Sequence, residues 1–338
     1  MWGYAFHGGS SRFSERHRVL FSLSNMDADR KNLGIALRTG ARGLFISSPD
    51  DSTQLAAART VLRDVLPTTP RHEIRVVVQC SSTWTLNTMI ERSKEVATKT
   101  GLDYIDAVLY PAALLSPEVQ GKAQIQELVA IWAAMTGLID AGAARHIGVC
   151  DFQVHQLEIL FHRFPTRPIE IYCFKSVTPF MPMVHTTHFC HTKGIDVIAC
   201  FAVDLETLSF KEKEEWKALA TSIAVSHQKV HVVCNLPSET IRGDTHAVAI
   251  NQTTVQHDVN SEFPRTHFEV LAAWLTQRGL IAVPSVEGDE PYEDGMCDAL
   301  FSLCHPFSRE PTAAAPTNPH QFILSNEEMA RITGLSSQ

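Results

Sequence analysis

Two hydrophobic patterns alternate along the chain. Short apolar runs without polar alternation, such as residues 147–150, are typical of strands that are buried on both faces of a parallel sheet. Segments such as residues 124–141 carry apolar side chains three and four positions apart, which predicts helices with one buried face. Gly142 is the expected C-terminal cap of that helix, and Asp151 is the expected N-cap of the next one. Strands that alternate with helices predict an α/β fold.

Eight strands with helices between them indicate a single (β/α)8 TIM barrel. The strands are predicted at residues 40–47, 73–80, 104–110, 147–150, 169–174, 196–201, 280–284 and 321–324. We expect the barrel to occupy residues 31–338, after an N-terminal extension at residues 1–30. Residues 18–24 are predicted to form a small strand before the barrel.

The regular spacing breaks after the sixth predicted strand. Residues 209–264 begin with a helical pattern and a short apolar run, and they continue as a polar stretch without a usable period. We interpret them as a long insertion that serves as a lid or a partner surface, or that is disordered.

Composition excludes some classes of protein. The net charge of −8 and the pI near 6.0 argue against a nucleic-acid-binding domain. No apolar run approaches the roughly 20 residues that span a bilayer. The eight cysteines are scattered, which suits a reducing compartment, and we expect a cytoplasmic location. The first 25 residues carry three arginines and one acid, so a mitochondrial targeting peptide is an alternative.

One histidine-rich segment is a candidate metal site. His185, His188, Cys190 and His191 lie within seven residues, and imidazole and thiolate ligands suit zinc. The preferred interpretation is a helix on the barrel surface with Cys190 turned toward the core. We therefore predict no metal.

The chain resembles the aldo-keto reductases from about residue 40 to residue 335. The fourth predicted strand and its flanks read His-Ile-Gly-Val-Cys-Asp-Phe at residues 146–152, followed by Gln-Leu-Glu at residues 156–158, which is similar to a signature of that family. Residues 101–106, 194–197, 273–284 and 322–329 also match family motifs in the same order. The resemblance implies a barrel of the aldo-keto reductase type.

The resemblance also implies where the catalytic residues should stand. The family reduces carbonyls with a tyrosine whose pKa is tuned by a lysine paired with an aspartate, assisted by a histidine. In this chain the aspartate position is Phe45, the tyrosine position is Asp50, the lysine position is Gln79, and the histidine position falls at Tyr110–Pro111. We therefore expect no catalytic residue of the family type.

The cofactor positions implied by the resemblance are also substituted. They correspond to Cys150, Asp151, Tyr172, Cys200, Ser285 and Pro291. Five acidic residues within residues 287–294 would repel a nucleotide phosphate. We expect no bound cofactor.

Together these substitutions predict a non-catalytic protein that acts as a regulatory or structural subunit of a hetero-complex. Residues 102–208 are similar to the modifier subunits of glutamate–cysteine ligase, which implies a partner whose equilibrium this chain would shift. The alternative is a divergent NADP-dependent oxidoreductase.

Overall fold

The computed structural model describes residues 19–22, 42–117, 121–202, 208–233, 256–264, 267–285 and 322–337. Eight parallel strands form one sheet in the order β1-β2-β3-β4-β5-β6-β7-β10. They are β1 Phe21–Ser22, β2 Gly43–Ile46, β3 Arg75–Gln79, β4 Ile105–Pro111, β5 Ala144–Cys150, β6 Ile171–Phe174, β7 Asp196–Ala202 and β10 Ile281–Ser285. The Leu20 N–H donates to the Ala282 carbonyl oxygen at 2.9 Å and brings the two ends of the sheet together. The predicted (β/α)8 barrel is confirmed.

Helices follow most of the strands and cover the barrel. They are α1 Ser52–Val65, α2 Met89–Thr100, α3 Lys122–Asp140, α4 Val154–Arg163, α5 Val184–Thr192, α6 Phe210–Ser226, α7 His267–Gln277 and α8 Asn326–Gly334. Gly101 and Gly142 follow α2 and α3 in the left-handed region, at φ +77° and +66°, as helix-ending glycines do. The N-cap of α4 is Gln153, so the prediction that Asp151 caps this helix was wrong.

Two strand predictions were also wrong. Residues 18–24 were expected to lie before the barrel, yet β1 is its first strand and every predicted strand moves one place along. Residues 322–325 form no strand, although the eighth strand was expected there. The Leu324 N–H donates to Gln277 Oε1 at 2.7 Å, and Gln277 Nε2 donates to the Leu324 carbonyl oxygen at 3.0 Å. A side chain therefore satisfies these backbone groups in place of a neighbouring strand.

The segment predicted as an insertion contains a barrel-type helix. Trp216, Ala220 and Ile223 on α6 are buried, and α6 packs against α7. An antiparallel pair follows, formed by β8 Gln228–Val233 and β9 Gln256–Pro264, and it lies outside the barrel sheet. Residues 234–255 lie outside the described part of the chain. The boundaries of the extension and of the insertion stay predictions.

The strands separate two apolar cores. The inner one fills the barrel and consists of Leu20, Phe45, Val77, Ala107, Leu109, Cys150, Ile171, Cys173, Ile198, Cys200, Ile281 and Val283. The outer one packs between strands and helices and includes the alternate residues, such as Val76 and Val78 on β3. Gly148 allows β5 and β6 to approach, because a Cβ there would lie 2.2 Å from the Ile171 carbonyl oxygen.

A buried ionic network lies at the end of the barrel where the strands begin. Asp106, 1% exposed, accepts from Arg71 Nη2 at 2.7 Å and from the Val76 N–H at 2.8 Å, and Arg75 Nη1 is 3.6 Å away. The guanidinium groups of Arg71 and Arg145 lie over the Tyr104 ring, 4.1 and 3.6 Å from its centroid. In barrels of this kind, the face at which the strands begin contributes stability. Among the described helices, none is long and apolar enough to cross a membrane.

Candidate active site

The carboxyl ends of the barrel strands surround a mouth, which is where parallel barrels carry their chemistry. Alternation along each strand decides which side chains point into it. On β3 to β6, the inward residues nearest the mouth are Gln79, Pro111, Cys150 and Cys173. Gln79 shares its face with Val77, and Pro111 shares its face with Leu109; Val77 and Leu109, like the two cysteines, belong to the inner core.

The inward residues at the expected catalytic positions are not acids or bases. Phe45 is packed in the inner core, and Pro111 is buried at the end of β4. Gln79 is 8% exposed, and its side chain has no hydrogen-bond partner among the described residues. Tyr110 faces the outer core and donates a long hydrogen bond of 3.5 Å to the Leu114 carbonyl oxygen. Burial and then the charges of neighbouring groups raise the pKa of Tyr110 to about 12, so this phenol is not the proton donor of the mouth.

Asp50, at the expected tyrosine position, is turned toward the loop after β3. Its carboxylate accepts from the hydroxyl groups of Ser81 and Thr83 and from Trp84 Nε1. Partial burial raises its pKa, but these three hydrogen bonds and the charge of Arg92 outweigh that effect and leave the pKa below its ordinary value. Asp50 is therefore an ionised acceptor that joins two loops. It lines a cavity of about 240 Å³ together with α2 residues such as Arg92.

Asp151 occupies the rim of the mouth just beyond β5. Its backbone is left-handed, at φ +56°, and its Oδ1 accepts from the Lys175 N–H at 3.0 Å. Although the residue is exposed, the surrounding strand ends partly desolvate the carboxylate and raise its pKa, against the lowering effects of the hydrogen bond and charge of Lys175. This arrangement joins the ends of β5 and β6.

The cofactor position assigned to Tyr172 falls on the wrong face of β6. The Tyr172 hydroxyl donates to the Phe152 carbonyl oxygen at 2.8 Å, and its ring packs edge-on against Phe174 in the outer core. Burial raises its pKa further above the ordinary value. The inward residue is Cys173, because a shift of one residue along a strand exchanges the two faces.

Three thiols from neighbouring strands meet on the inner face, a feature that the sequence reading missed. Cys173 Sγ lies 3.8 Å from Cys200 Sγ, and Cys150 is the residue beside Cys173 on β5. Hydrogen bonds with the thiols of Cys150 and Cys200, followed by burial, raise the pKa of Cys173. The thiol of Cys173 is therefore protonated and behaves as an apolar wall. The signal lay in apolar runs that each contain one cysteine.

The candidate metal residues lie on α5, away from the inner face. His185 and His188 are exposed, while Cys190 is buried in the outer core and its pKa is raised to about 12 by that burial. Burial and the nearby charges of Arg278 and His188 lower the pKa of His191. In the described part of the chain, no group of three or more potential ligands is arranged to hold a metal ion.

The expected phosphate end of the cofactor site is only partly described. Ser285 is the last residue of β10, and its backbone pairs with Ala202 on β7. Pro291 and the acidic residues around it lie outside the described residues.

An eight-stranded parallel barrel with a lined mouth is the architecture of a large class of enzymes. Within that class, the family model described as "Aldo/keto reductase family" matches residues 53–289, which is more than half of the chain. The chain belongs to the aldo/keto reductase family.

Curated relatives include reductases of several kinds. The chain is 25% identical over 271 residues to the probable NAD(P)H-dependent D-xylose reductase of Emericella nidulans, covering 74% of each protein. It is 27% identical over 166 residues to prostaglandin-E(2) 9-reductase of Oryctolagus cuniculus, covering 42% of this chain and 49% of that one. The chain therefore aligns with about three quarters of the first relative and about half of the second.

Solved structures share the fold at low identity. The aldose reductase of Schistosoma japonicum aligns with a TM-score of 0.62 and 18% identity, covering 94% of this chain and 88% of that one. An aldo-keto reductase of Bombyx mori in complex with NADP aligns with a TM-score of 0.57 and 16% identity, covering 95% and 90%.

Family membership implies a nicotinamide dinucleotide, and the mouth fits its amide end. The Asp151 carboxylate has acceptor sites beyond the one bonded to the Lys175 N–H, so it can also accept from a carboxamide N–H. The buried Gln79 amide can donate and accept. The stacking position is different, because the inward residue is Cys200 and the neighbouring Phe201 packs in the outer core.

Proposed function

We propose that this chain is an NAD(P)H-dependent oxidoreductase that reduces apolar, quinone-type acceptors. Membership of the aldo/keto reductase family and the likeness to an NAD(P)H-dependent reductase over 74% of both chains support the oxidoreductase class. The single observation that carries the acceptor class is the inner face of the mouth. It is apolar, and its described catalytic positions hold a buried amide and no ionisable acid.

The absence of an acid at these positions selects the kind of acceptor. Reduction of an aldehyde or a sugar produces an alkoxide, which needs a positioned proton donor as it forms. At the expected catalytic positions, Phe45 and Pro111 donate no proton, and Asp50 is an ionised acceptor turned away. A quinone that accepts a hydride becomes a hydroquinone anion whose charge is spread over the ring. It then takes its second proton from water, so no acidic side chain is required.

The described residues divide the remaining tasks between them. When bound, the nicotinamide supplies the hydride. The Asp151 carboxylate accepts from the carboxamide and orients the ring at the rim. Phe45 and the protonated thiols of Cys173 and Cys200 form an apolar wall that receives a flat acceptor and excludes water.

Two measurements test this proposal. Calorimetric titration should give a dissociation constant for NADPH well below about 1 mM, or about −4.1 kcal/mol. Under anaerobic conditions, steady-state NADPH oxidation should proceed with 9,10-phenanthrenequinone and not with D-xylose. This quinone has no open ring position for addition of a thiol. Failure to bind NADPH, or equal rates with and without the protein, would refute the proposal.

A second candidate is the non-catalytic subunit predicted from the sequence, including a modifier-like role in a hetero-complex. It is favoured by the replacement of the catalytic acid and lysine by Phe45 and Gln79, and by the aspartate that follows the strand at Asp151. The relatives favour the oxidoreductase. Co-purification from the native source discriminates between the two, since the subunit requires a stoichiometric partner and no NADPH turnover. The cytoplasmic or mitochondrial location stays a prediction.

A further inference from the structure

A buried amide without a partner stands at the mouth of the barrel. Gln79 is the last residue of β3 and is 8% exposed, on the same face as Val77 in the inner core. Leu109 lies directly beside it on β4 and also belongs to the inner core. No described residue forms a hydrogen bond with the Gln79 side chain. Native proteins rarely leave a buried polar group unsatisfied, so such a group at a site indicates that a ligand supplies its partner.

The other inward residues at this level do not compete for that role. On β4 to β6 they are Pro111, Cys150 and Cys173, of which the proline has no side-chain donor and the thiols are weak donors. The Cys173 thiol is also engaged with its neighbours. Gln79 is therefore the strong donor on the inward face of these four strands.

We propose that Gln79 is a catalytic hydrogen-bond donor to the acceptor oxygen, an inference that rests on the proposed function. As the hydride reaches the quinone, negative charge develops on a ring oxygen, and a positioned N–H group stabilises that charge without transferring a proton. The neutral amide suits an apolar wall that holds Phe45, Val77 and Leu109, because it carries no charge that needs desolvation.

The test uses a variant of the same shape without a donor, Gln79→Met, and a second variant, Gln79→Glu, which puts a carboxylate against the developing charge. Gln54→Met is the matched control. Gln54 is also 8% exposed and its Oε1 also lacks a partner, but it lies on α1 outside the barrel. Thermal melts establish that each variant is folded.

The first readout needs no turnover. Infrared difference spectra of 9,10-phenanthrenequinone, unlabelled and ¹⁸O-labelled, are recorded on the protein without NADPH. A hydrogen bond lowers the carbonyl stretching frequency. We expect the lowered band in the wild type and in Gln54→Met, and its loss in Gln79→Met. A wild type that does not bind the quinone, or an unshifted band in the wild type, overturns the inference.

The second readout is anaerobic quinone reduction between about pH 6 and pH 9. We expect Gln79→Met to lower kcat about tenfold or more with little change in the KM for NADPH, and Gln79→Glu to lower it further. The effect should not vary with pH, because an amide does not titrate. Unchanged turnover in Gln79→Met overturns the role of Gln79 and leaves the oxidoreductase proposal standing. No turnover in the wild type, with the band shift lost in Gln79→Met, refutes the proposed function but supports Gln79 as the donor.

Discussion

Replacing Asp151 with asparagine is expected to tighten NADPH binding without weakening the fold. The carboxylate can only accept hydrogen bonds, whereas an amide also donates one to the carboxamide oxygen of the nicotinamide. One added hydrogen bond contributes about 0.5–1.5 kcal/mol, so the dissociation constant should fall about two- to twelvefold. Asparagine keeps the acceptor for the Lys175 N–H and tolerates the left-handed backbone at φ +56°.

Asp151→Ala provides the magnitude of the structural role. The variant loses the 3.0 Å hydrogen bond from the Lys175 N–H, worth about 0.5–1.5 kcal/mol. It also places alanine in the left-handed region, which costs about 1–2 kcal/mol. The expected loss is about 2 kcal/mol in the free energy of unfolding, while Asp151→Asn should lose almost none.

Calorimetric melts and NADPH titrations of both variants check these values. Asp103→Asn is the matched control, because the same change of charge is made at an exposed residue before β4, at the opposite end of the barrel. It should leave the NADPH affinity unchanged. Equal melting temperatures for Asp151→Ala and Asp151→Asn, or equal tightening by Asp103→Asn, would refute the reasoning.

The same variant should change how stability depends on pH. Partial burial raises the pKa of Asp151 above its ordinary value of 3.8, against the opposing effects of Lys175. The folded state therefore holds this proton more tightly than the unfolded state, and the wild type loses stability as pH rises from the ordinary value through the raised pKa. Asp151→Asn lacks that loss. Its advantage in melting temperature should grow across that window and stay constant above it.

Three further substitutions test the fold. Gly148→Ala should cost about 3 kcal/mol, because the new Cβ would lie 2.2 Å from a backbone oxygen of β6, whereas Gly137→Ala meets only ordinary contact and should stabilise α3 by up to about 1 kcal/mol in thermal melts. Asp106→Asn removes the counter-charge of Arg71 and should cost about 2–4 kcal/mol in chemical unfolding without changing NADPH affinity. Glu328→Gln should flatten the acid limb of the stability curve: burial raises the Glu328 pKa, but hydrogen bonds lower it overall, so its contribution is lost as pH falls through that lowered pKa. A Gly148→Ala protein as stable as the wild type, a changed NADPH affinity in Asp106→Asn, or an unchanged acid limb in Glu328→Gln would each contradict this account.

Local pattern in the sequence was enough to predict most of the elements and the barrel class. A strand buried on both faces appears as a continuous apolar run, and β5 carries such a run at residues 147–150. Ser325 was predicted as a helix cap, and it accepts from the Glu328 N–H at the start of α8. These features depend on neighbours a few positions apart, so they are visible in the chain itself.

Ring closure was decided only in three dimensions. The strand β1 is two residues long and too short to show a period, yet it is the segment that meets β10. Residues 322–324 looked like a strand because they are apolar, but Gln277 satisfies the backbone of Leu324. Neither outcome depends on local sequence.

The face of each strand was the other property that only the tertiary structure decided. A run that is apolar throughout does not show which residues point into the barrel, so Tyr110 and Pro111, or Tyr172 and Cys173, were equivalent in the sequence. The pleat turns both tyrosines outward. It also brings Cys173 within 3.8 Å of a thiol 27 positions away. The family and the substituted positions could thus be named from residues alone, whereas the donor and the wall of the mouth exist only because eight distant strands share one interior.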